Sequence, residues 1–280
     1  MKLTKVQDRF IKNKNMGFSL MKGKSLTGKT LTALHRVINL ENNYCIYNND
    51  KILYISLEHD KARENERLYK DISKKEKFYS LFSLNEKRVS FNSIKLLIEK
   101  YSNKYLKYKN KNLKLISFEK GIEFLKHEEF IKNLNEFLKK SKVLKRISIE
   151  ELYDEILWIK SCNFSKEEYE ITERKARKFR CVKNSFTRKA IYTLMEVYTN
   201  LLRNYESYDK YDETIFAIKY SKIINDKYTH VVLDNVEALT KGEIEFAKSV
   251  YSNNAHSSFA FILNNEIKNS YNCWMIKGRR

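Results

Sequence analysis

Proline is absent from this chain of 280 residues, and glycine occurs only six times. Because these two residues are the ones that most often interrupt helices, their scarcity predicts long uninterrupted helices and makes each glycine informative. Two of the six, Gly23 and Gly28, fall within one segment of eight residues. That segment is therefore the first candidate for a loop with a special backbone conformation.

Closely spaced cysteines and long apolar runs are also missing. The four cysteines form no C-x-x-C pair, and the five histidines lack the spacing of metal ligands, which argues against a zinc site or a redox motif. No run approaches the roughly 18 apolar residues that span a bilayer, and residues 2–30 lack the apolar core of a signal peptide. These absences predict a soluble, cytoplasmic protein with reduced cysteines and no membrane partner.

Acidic residues are outnumbered, with 35 Asp and Glu against 55 Lys and Arg, which gives a formal net charge of +20. Such an excess attracts polyanions and favours a nucleic-acid partner. Abundant Lys, Asn, Ile and Tyr also fit a codon bias without any specific anion site, so charge alone leaves both interpretations open.

Short apolar runs at both ends of the chain predict an α/β domain with a parallel sheet, whereas apolar residues in the middle recur with the helical period. We predict that residues 1–90 and 206–280 form the α/β domain and that residues 91–205 form a helical insertion. The predicted strands are 18–21, 52–57, 230–233 and 259–263, and the predicted helices near the start are 4–12 and 29–42.

Residues 23–30 fit the pattern G-x-x-x-x-G-K-[ST] at every fixed position, between a predicted strand and a predicted helix. In such a loop the glycines let the backbone wrap around phosphates, Lys29 reaches the β and γ phosphates, and Thr30 holds Mg²⁺. Asp234 ends a strand that we expect to neighbour this loop, where a carboxylate would orient the ion. The pattern predicts ATP and Mg²⁺ as ligands. The loop residues assigned to the nucleotide are Gly23, Thr27, Gly28, Lys29 and Thr30.

These residues resemble superfamily 1 DNA helicases of the UvrD/Rep type, including HelD-like relatives. Gln7 lies where this family carries its adenine-reading glutamine, and Arg36 matches a recurrent arginine in the helix after the loop, so the resemblance implies that both contact the nucleotide. The resemblance implies a RecA-like P-loop NTPase domain with a parallel sheet, interrupted by a mainly helical accessory subdomain. Further similar segments are 155–160, Tyr169, 174–177, Arg188 and 209–212.

The resemblance covers only the first half of such a helicase and departs from it at chemical positions. Asn235 stands where the family has the carboxylate that polarises the attacking water, and Glu237 is the nearby candidate for a replacement base. Asn264 and Ile267 replace an Asp and a Gln in the third motif. Losing such a base costs about 10²- to 10⁴-fold in rate. We therefore expect ATP binding, weak or absent hydrolysis, and unwinding only with a second polypeptide.

Two stretches are rich in cations. Residues 100–146 hold 14 Lys or Arg and 5 acidic residues, and residues 172–190 hold 8 and 1. The first stretch is typical of helices with a solvated face, whereas the second predicts contact with single-stranded or junction DNA, or with an acidic protein surface. The nucleic-acid candidates are Arg174, Lys175, Arg177, Lys178, Arg180 and Lys183.

Two other interpretations stay open at this point. One is a non-catalytic scaffold derived from a helicase, which docks its basic surface on DNA, RNA polymerase or another acidic partner. The other is a fragment of a decayed gene without function. A measurement of nucleotide binding distinguishes the ATP-binding helicase-like protein from the scaffold and from the decayed fragment.

Overall fold

A computed structural model describes residues 3–14, 16–76, 88–174 and 177–266, together with Trp274. The helices and strands alternate at both ends of the chain, and the middle is helical. In chain order they are α1 (Lys5–Ile11), β1 (Gly17–Gly23), α2 (Lys29–Asn43), β2 (Ile52–Ser56), α3 (His59–Glu76), β3 (Val89–Ser93), α4 (Ile94–Tyr108), β4 (Lys114–Leu115), α5 (Phe118–Leu125), α6 (Glu128–Leu138), α7 (Ile149–Ser161), α8 (Lys166–Ile171), α9 (Phe186–Asn204), β5 (Ser207–Tyr208), α10 (Lys210–Ile223), β6 (His230–Leu233), α11 (Lys241–Ser249) and β7 (Ser258–Asn264).

The chain divides into two compact units. The described parts of residues 1–98, 221–239 and 244–268 form an α/β unit, and those of residues 99–220 and 240–243, with Trp274, form a helical unit. The second division falls later than the predicted boundary at residue 206, because most of α10 belongs to the helical unit. Lys160 of α7 explains this placement, since its ammonium bonds to both Asp209 and Asp212 at the start of α10.

Five parallel strands form the sheet of the α/β unit, in the order β1-β7-β6-β2-β3. Strands β2 and β6 are buried along their whole length, as expected for a parallel sheet that helices cover. On one face, Leu34 and Val37 of α2 pack in one apolar cluster with Ile52 and Val232. The α/β class, the parallel sheet and the four predicted strands are confirmed.

Two details of the sheet differ from the sequence prediction. Strand β3 crosses the predicted boundary at residue 90 and was not among the predicted strands, because its five residues include only two large apolar ones, Val89 and Phe91. Strand β7 lies between β1 and β6, so the strand that ends at Asp234 is not hydrogen-bonded to the strand before the glycine loop. All strands are parallel, and their carboxyl ends still meet at one edge of the sheet.

The helical unit has its own apolar core, in which Trp158, Ile156, Leu194 and Tyr198 are almost fully buried. Its two short strands, β4 and β5, form a separate parallel pair. None of the helices in the described part of the chain combines the length and the apolar character required to cross a membrane.

His230 generates a prediction about acid stability. Its ring is buried in β6, with Nδ1 3.0 Å from Ser258 Oγ and Nε2 3.3 Å from the Tyr44 carbonyl oxygen. Burial lowers the pKa of His230 to about 4 from 6.5, against the attraction of Asp50. Between these two pH values the unfolded chain binds more protons than the folded one, so stability is lost as the pH falls from 6.5 towards 4.

We expect this single group to remove at most about 3 kcal/mol from the free energy of unfolding over that window. Urea unfolding of the wild type and of His230→Gln, measured across this pH range, checks the expectation. The slope against pH should be shallower in His230→Gln, while the same substitution at His59, where α3 begins, should leave the slope unchanged. Equal slopes in all three proteins would contradict it.

Candidate nucleotide-binding site

The glycine loop between β1 and α2 needs glycine at both predicted positions. Gly28 has a left-handed backbone with φ of 76° and lies directly before α2. A Cβ atom on Gly23 would lie 2.8 Å from the Thr27 side-chain oxygen, which is too close for any other residue without a shift. The loop also places Leu26 in the left-handed region with its side chain fully exposed. The backbone is therefore free of side chains where it turns.

The turn leaves the amino end of α2 open. The first amides of a helix have no acceptor within the helix and carry a partial positive charge. Lys29 and Thr27 both donate to the Lys24 carbonyl oxygen, with Nζ at 2.5 Å and Oγ1 at 2.8 Å. These bonds hold the Lys29 ammonium inside the loop, beside the amides of α2. The arrangement offers a cation and backbone N–H groups to one anionic ligand.

Asp234 lies behind this loop and is 4% exposed. Its Oδ2 accepts hydrogen bonds from Thr30 Oγ1 at 3.3 Å and Tyr54 Oη at 2.8 Å, and its Oδ1 accepts from the Asn235 amide at 2.9 Å. Burial raises the pKa of the Asp234 carboxyl above its ordinary value, and these three hydrogen bonds oppose the rise. A carboxylate has about four acceptor positions, so one remains for a water molecule on a metal ion.

The Thr30 hydroxyl and the Asp234 carboxylate fit a magnesium ion that retains water molecules and takes its other ligands from phosphates. Among the described residues, no group of three or more His, Cys, Asp or Glu side chains is arranged to hold a metal ion. A metal bound at this loop would therefore depend on the nucleotide for part of its coordination.

Glu237 connects the ends of two strands. Its Oε2 accepts from the Asn264 amide at 3.0 Å, at the end of β7, and its Oε1 accepts from Asn235 Nδ2 at 3.3 Å. Asn264 also donates through Nδ2 to Ser25 in the loop, at 3.0 Å. The two candidate positions of the second and third motifs are therefore joined through Glu237. Each of its carboxylate oxygens accepts one hydrogen bond in this conformation.

Gln7 lies beside the loop, and Arg36 has another role. Gln7 Nε2 donates to the Thr27 carbonyl oxygen at 3.1 Å, so the predicted adenine-reading residue is in contact with the loop. Arg36 is 4% exposed and donates to the carbonyl oxygens of Ile11 and Asn13 at 2.8 and 2.6 Å. Its assignment to the nucleotide is corrected, because the buried guanidinium holds the end of α1 and the residues that follow.

Sequence reasoning did not single out Tyr54 or Ser25. Tyr54 occupies a buried strand two residues before the level of Asp234, since it pairs in register with Val232. A tyrosine in a fully buried run requires a partner for its hydroxyl, and that requirement was the available signal. Ser25 contacts Asn264 only because β7 lies next to β1 and pairs Asn264 with Gly23. The loop motif does not predict the order of the strands in the sheet, and this contact depends on that order.

Two of the nucleic-acid candidates in the second basic stretch are buried and paired with an acid. Arg174 and Arg177 donate from Nε to the two oxygens of Glu155, at 2.7 and 2.9 Å, and their side chains are 3% and 1% exposed. Burial opposes ionisation of Glu155, but the bond from Arg174 and the charge of Arg177 hold the pKa of its carboxyl below the ordinary value. These two arginines therefore face the interior, because α7 supplies an acid from outside the stretch.

The remaining basic candidates differ in their surroundings. Lys178 pairs with Asp154 and Lys183 pairs with Glu173, and both lysine side chains are about half exposed. Arg180 is exposed. Lys175 lies outside the described residues, as does Ile267 of the predicted third motif.

The chain matches no model of a known protein family and no curated protein. The helicase resemblance therefore rests on the sequence motifs alone.

Tyr54 yields a prediction about magnesium. Tyr54→Phe removes one hydrogen bond from a buried carboxylate, so the pKa of Asp234 should rise further and its attraction for metal-bound water should fall. We expect a loss of about 1 kcal/mol, roughly fivefold, in nucleotide affinity with Mg²⁺ and none in EDTA. Titration with a fluorescent ATP analogue in both conditions measures this.

Tyr69→Phe is the matched control, because Tyr54 and Tyr69 both pack on Phe91, with ring centroids 5.4 and 5.2 Å away. The Tyr69 hydroxyl bonds to Glu41 instead of Asp234. Equal losses in the two variants would contradict a role for Tyr54 in the metal response.

Glu155 yields a prediction about stability. Glu155→Gln leaves two buried guanidinium groups without their carboxylate, and we expect a loss of about 3 to 5 kcal/mol. Urea unfolding followed by Trp158 fluorescence reports on this region, because Arg177 lies over the Trp158 ring at 4.8 Å. Glu150→Gln, at an exposed position in the first turn of the same helix, should cost little. A loss below 1 kcal/mol for both variants would refute the interpretation.

Proposed function

We propose that this chain binds ATP together with Mg²⁺ on a RecA-like P-loop NTPase domain. The observation that supports this most is the hydrogen bond of 3.3 Å between Thr30, after the glycine loop, and Asp234, at the end of β6. A hydroxyl and a carboxylate from distant parts of the chain meet beside a lysine and a helix amino end. This combination suits a triphosphate and its metal ion.

Each residue has a defined role in this proposal. The amides that follow Gly28 would hold the phosphates, and the Lys29 ammonium would exchange the Lys24 carbonyl oxygen for a phosphate oxygen. Thr30 and Asp234 would hold the metal ion. When bound, the ion would neutralise charge on the phosphates. Gln7, which donates to the Thr27 carbonyl oxygen, is the candidate for contact with the base.

We propose that hydrolysis is slow. The amide of Asn235 cannot accept a proton from water, and in this structure it donates to Glu237. Glu237 is the alternative base, but its oxygens accept from Asn235 and from the Asn264 backbone. These bonds fix the orientation of its carboxyl group, so it could activate a water molecule only through the acceptor positions that remain. Nucleotide binding without rapid turnover is consistent with a switch more than with a motor.

The wider proposal is that the chain is the ATP-binding part of a UvrD/Rep-like superfamily 1 DNA helicase. The parallel sheet and the helical unit within the chain support it, as does the net charge of +20. Single-stranded or junction DNA would then be the polyanion, and unwinding would involve a second polypeptide. The alternative is a non-catalytic scaffold on nucleic acid or an acidic protein such as RNA polymerase.

Lys29→Ala tests the nucleotide site. We expect it to abolish detectable binding of a fluorescent ATP analogue with Mg²⁺, because the side-chain cation assigned to the β and γ phosphates is lost. Lys22→Ala, an exposed lysine on β1, removes the same charge outside the loop and should bind like the wild type. Retained affinity in Lys29→Ala would overturn the proposal.

Phosphate release with and without single-stranded DNA separates the remaining possibilities. Binding without turnover agrees with the proposed switch. Turnover that DNA stimulates would mean that Glu237 or another group replaces the missing carboxylate. No binding by the wild type would favour the scaffold.

A further inference from the structure

One cluster of buried side chains in the helical unit contains an arginine without an acidic partner. Arg174 and Arg177 both pair with the carboxylate of Glu155. Arg188 is 2% exposed and donates to carbonyl oxygens at the end of α8 and in the loop after it, and no carboxylate in the described part of the chain lies within ion-pair distance of it. The positive charge of Arg188 is therefore buried beside that of Arg174 without an acid of its own among the described residues. Uncompensated buried charge is costly, and proteins normally pair it.

Two of these arginines also have donors without acceptors. Arg174 Nη2 and Arg188 Nε are buried, and neither finds a hydrogen-bond partner among the described residues. More than nine in ten buried polar groups in proteins are paired, so two unpaired donors in one cluster require an explanation. An anion that binds nearby would compensate both the charge and the missing acceptors.

A pocket of about 380 Å³ lies against this cluster. Its volume is at the lower end of the range for sites that take small molecules. Among the described residues that line it, the single acid is Glu173, which pairs with Lys183. The lining also includes Arg174, Arg180 and Arg188.

We propose that this pocket binds a phosphate group, with Arg180 and Lys183 at its exposed rim and Arg174 and Arg188 in its wall. A phosphate monoester carries a charge of about −1.5 to −2 at neutral pH, so it would compensate the buried positive charge of Arg188 and attract the exposed cations at the rim. Guanidinium groups also fit phosphate oxygens through paired N–H donors. The site lies entirely within the helical unit and is independent of the glycine loop.

Titration with inorganic phosphate tests this site in the Lys29→Ala protein, in which phosphate binding at the glycine loop is removed. The readouts are isothermal calorimetry and the melting temperature by tryptophan fluorescence, at an ionic strength held constant with chloride. We expect saturable binding and a rise in melting temperature. Substituting Arg180 and Lys183 together by Gln should weaken binding about tenfold or more, because two charged donors are lost.

Lys139 and Lys140, exposed at the end of α6, provide the matched control. Their double substitution by Gln removes the same charge from the same unit and should leave phosphate affinity unchanged. Equal weakening in both double variants would reduce the effect to general electrostatics and overturn the proposal. So would the absence of saturable binding in the Lys29→Ala protein while circular dichroism shows it to be folded.

The source of the phosphate is resolved by two single-stranded oligonucleotides that differ only in a 5′-phosphate or a 5′-hydroxyl end. Tighter binding of the phosphorylated strand, lost in the Arg180 and Lys183 double variant, assigns the pocket to a strand end. Equal affinities, together with saturable binding of inorganic phosphate, assign it to a free phosphate or a small phosphate ester. Neither result depends on ATP binding at the glycine loop.

Discussion

The buried Asp234 carboxylate is the group around which the candidate nucleotide site is arranged. It takes hydrogen bonds from the helix after the glycine loop, from β2 through Tyr54, and from the backbone that follows β6. A buried charge is stable only if such bonds satisfy it, so the carboxylate and its donors hold one another in place. The glycine loop depends on the same constraint, because Thr30 reaches Asp234 only if Gly28 turns the chain into α2.

The departures from the helicase pattern acquire a physical meaning in this arrangement. Asn235 and Asn264 do not leave gaps, since Glu237 bonds to the side chain of one and the backbone of the other. Asn264 in turn reaches Ser25 in the loop. A hydrogen-bonded link therefore joins the ends of β6 and β7 to the glycine loop. In the proposed function this link would respond to the nucleotide without requiring its hydrolysis.

The helical unit is organised by buried charge to an unusual degree. Lys160 bonds to Asp209 and Asp212, and although burial opposes its charge, these two acids raise the pKa of its ammonium. In the Arg174, Arg177 and Glu155 cluster buried charges are also paired, with two arginines bonded to one acid. Replacing one member of such a group costs more than replacing the whole group by apolar residues. The segment 209–212, one of those that resemble the helicase family, therefore has a structural role at the start of α10.

The motif residues and the four predicted strands could be identified from the sequence, because each depends on a pattern of neighbouring residues. These patterns are hydrophobic periodicity, glycine spacing and the residue at a strand end. Strand β3, the partner of Tyr54 and the pairing of Arg174 with Glu155 could not be identified, because each depends on which distant segment becomes a neighbour. The basic stretch shows the limit most clearly, since a count of charges along residues 172–190 omits the acids of α7.

The sequence by itself determined that this protein has a phosphate-binding loop pattern, an α/β class and a helical middle. Only the tertiary structure decided that Arg36 holds α1, that β7 separates β1 from β6, and that two predicted surface arginines are interior. The physical reason is that hydrophobic period and backbone strain act within a few residues, whereas the partner of a buried charge is chosen by packing between segments far apart in the chain.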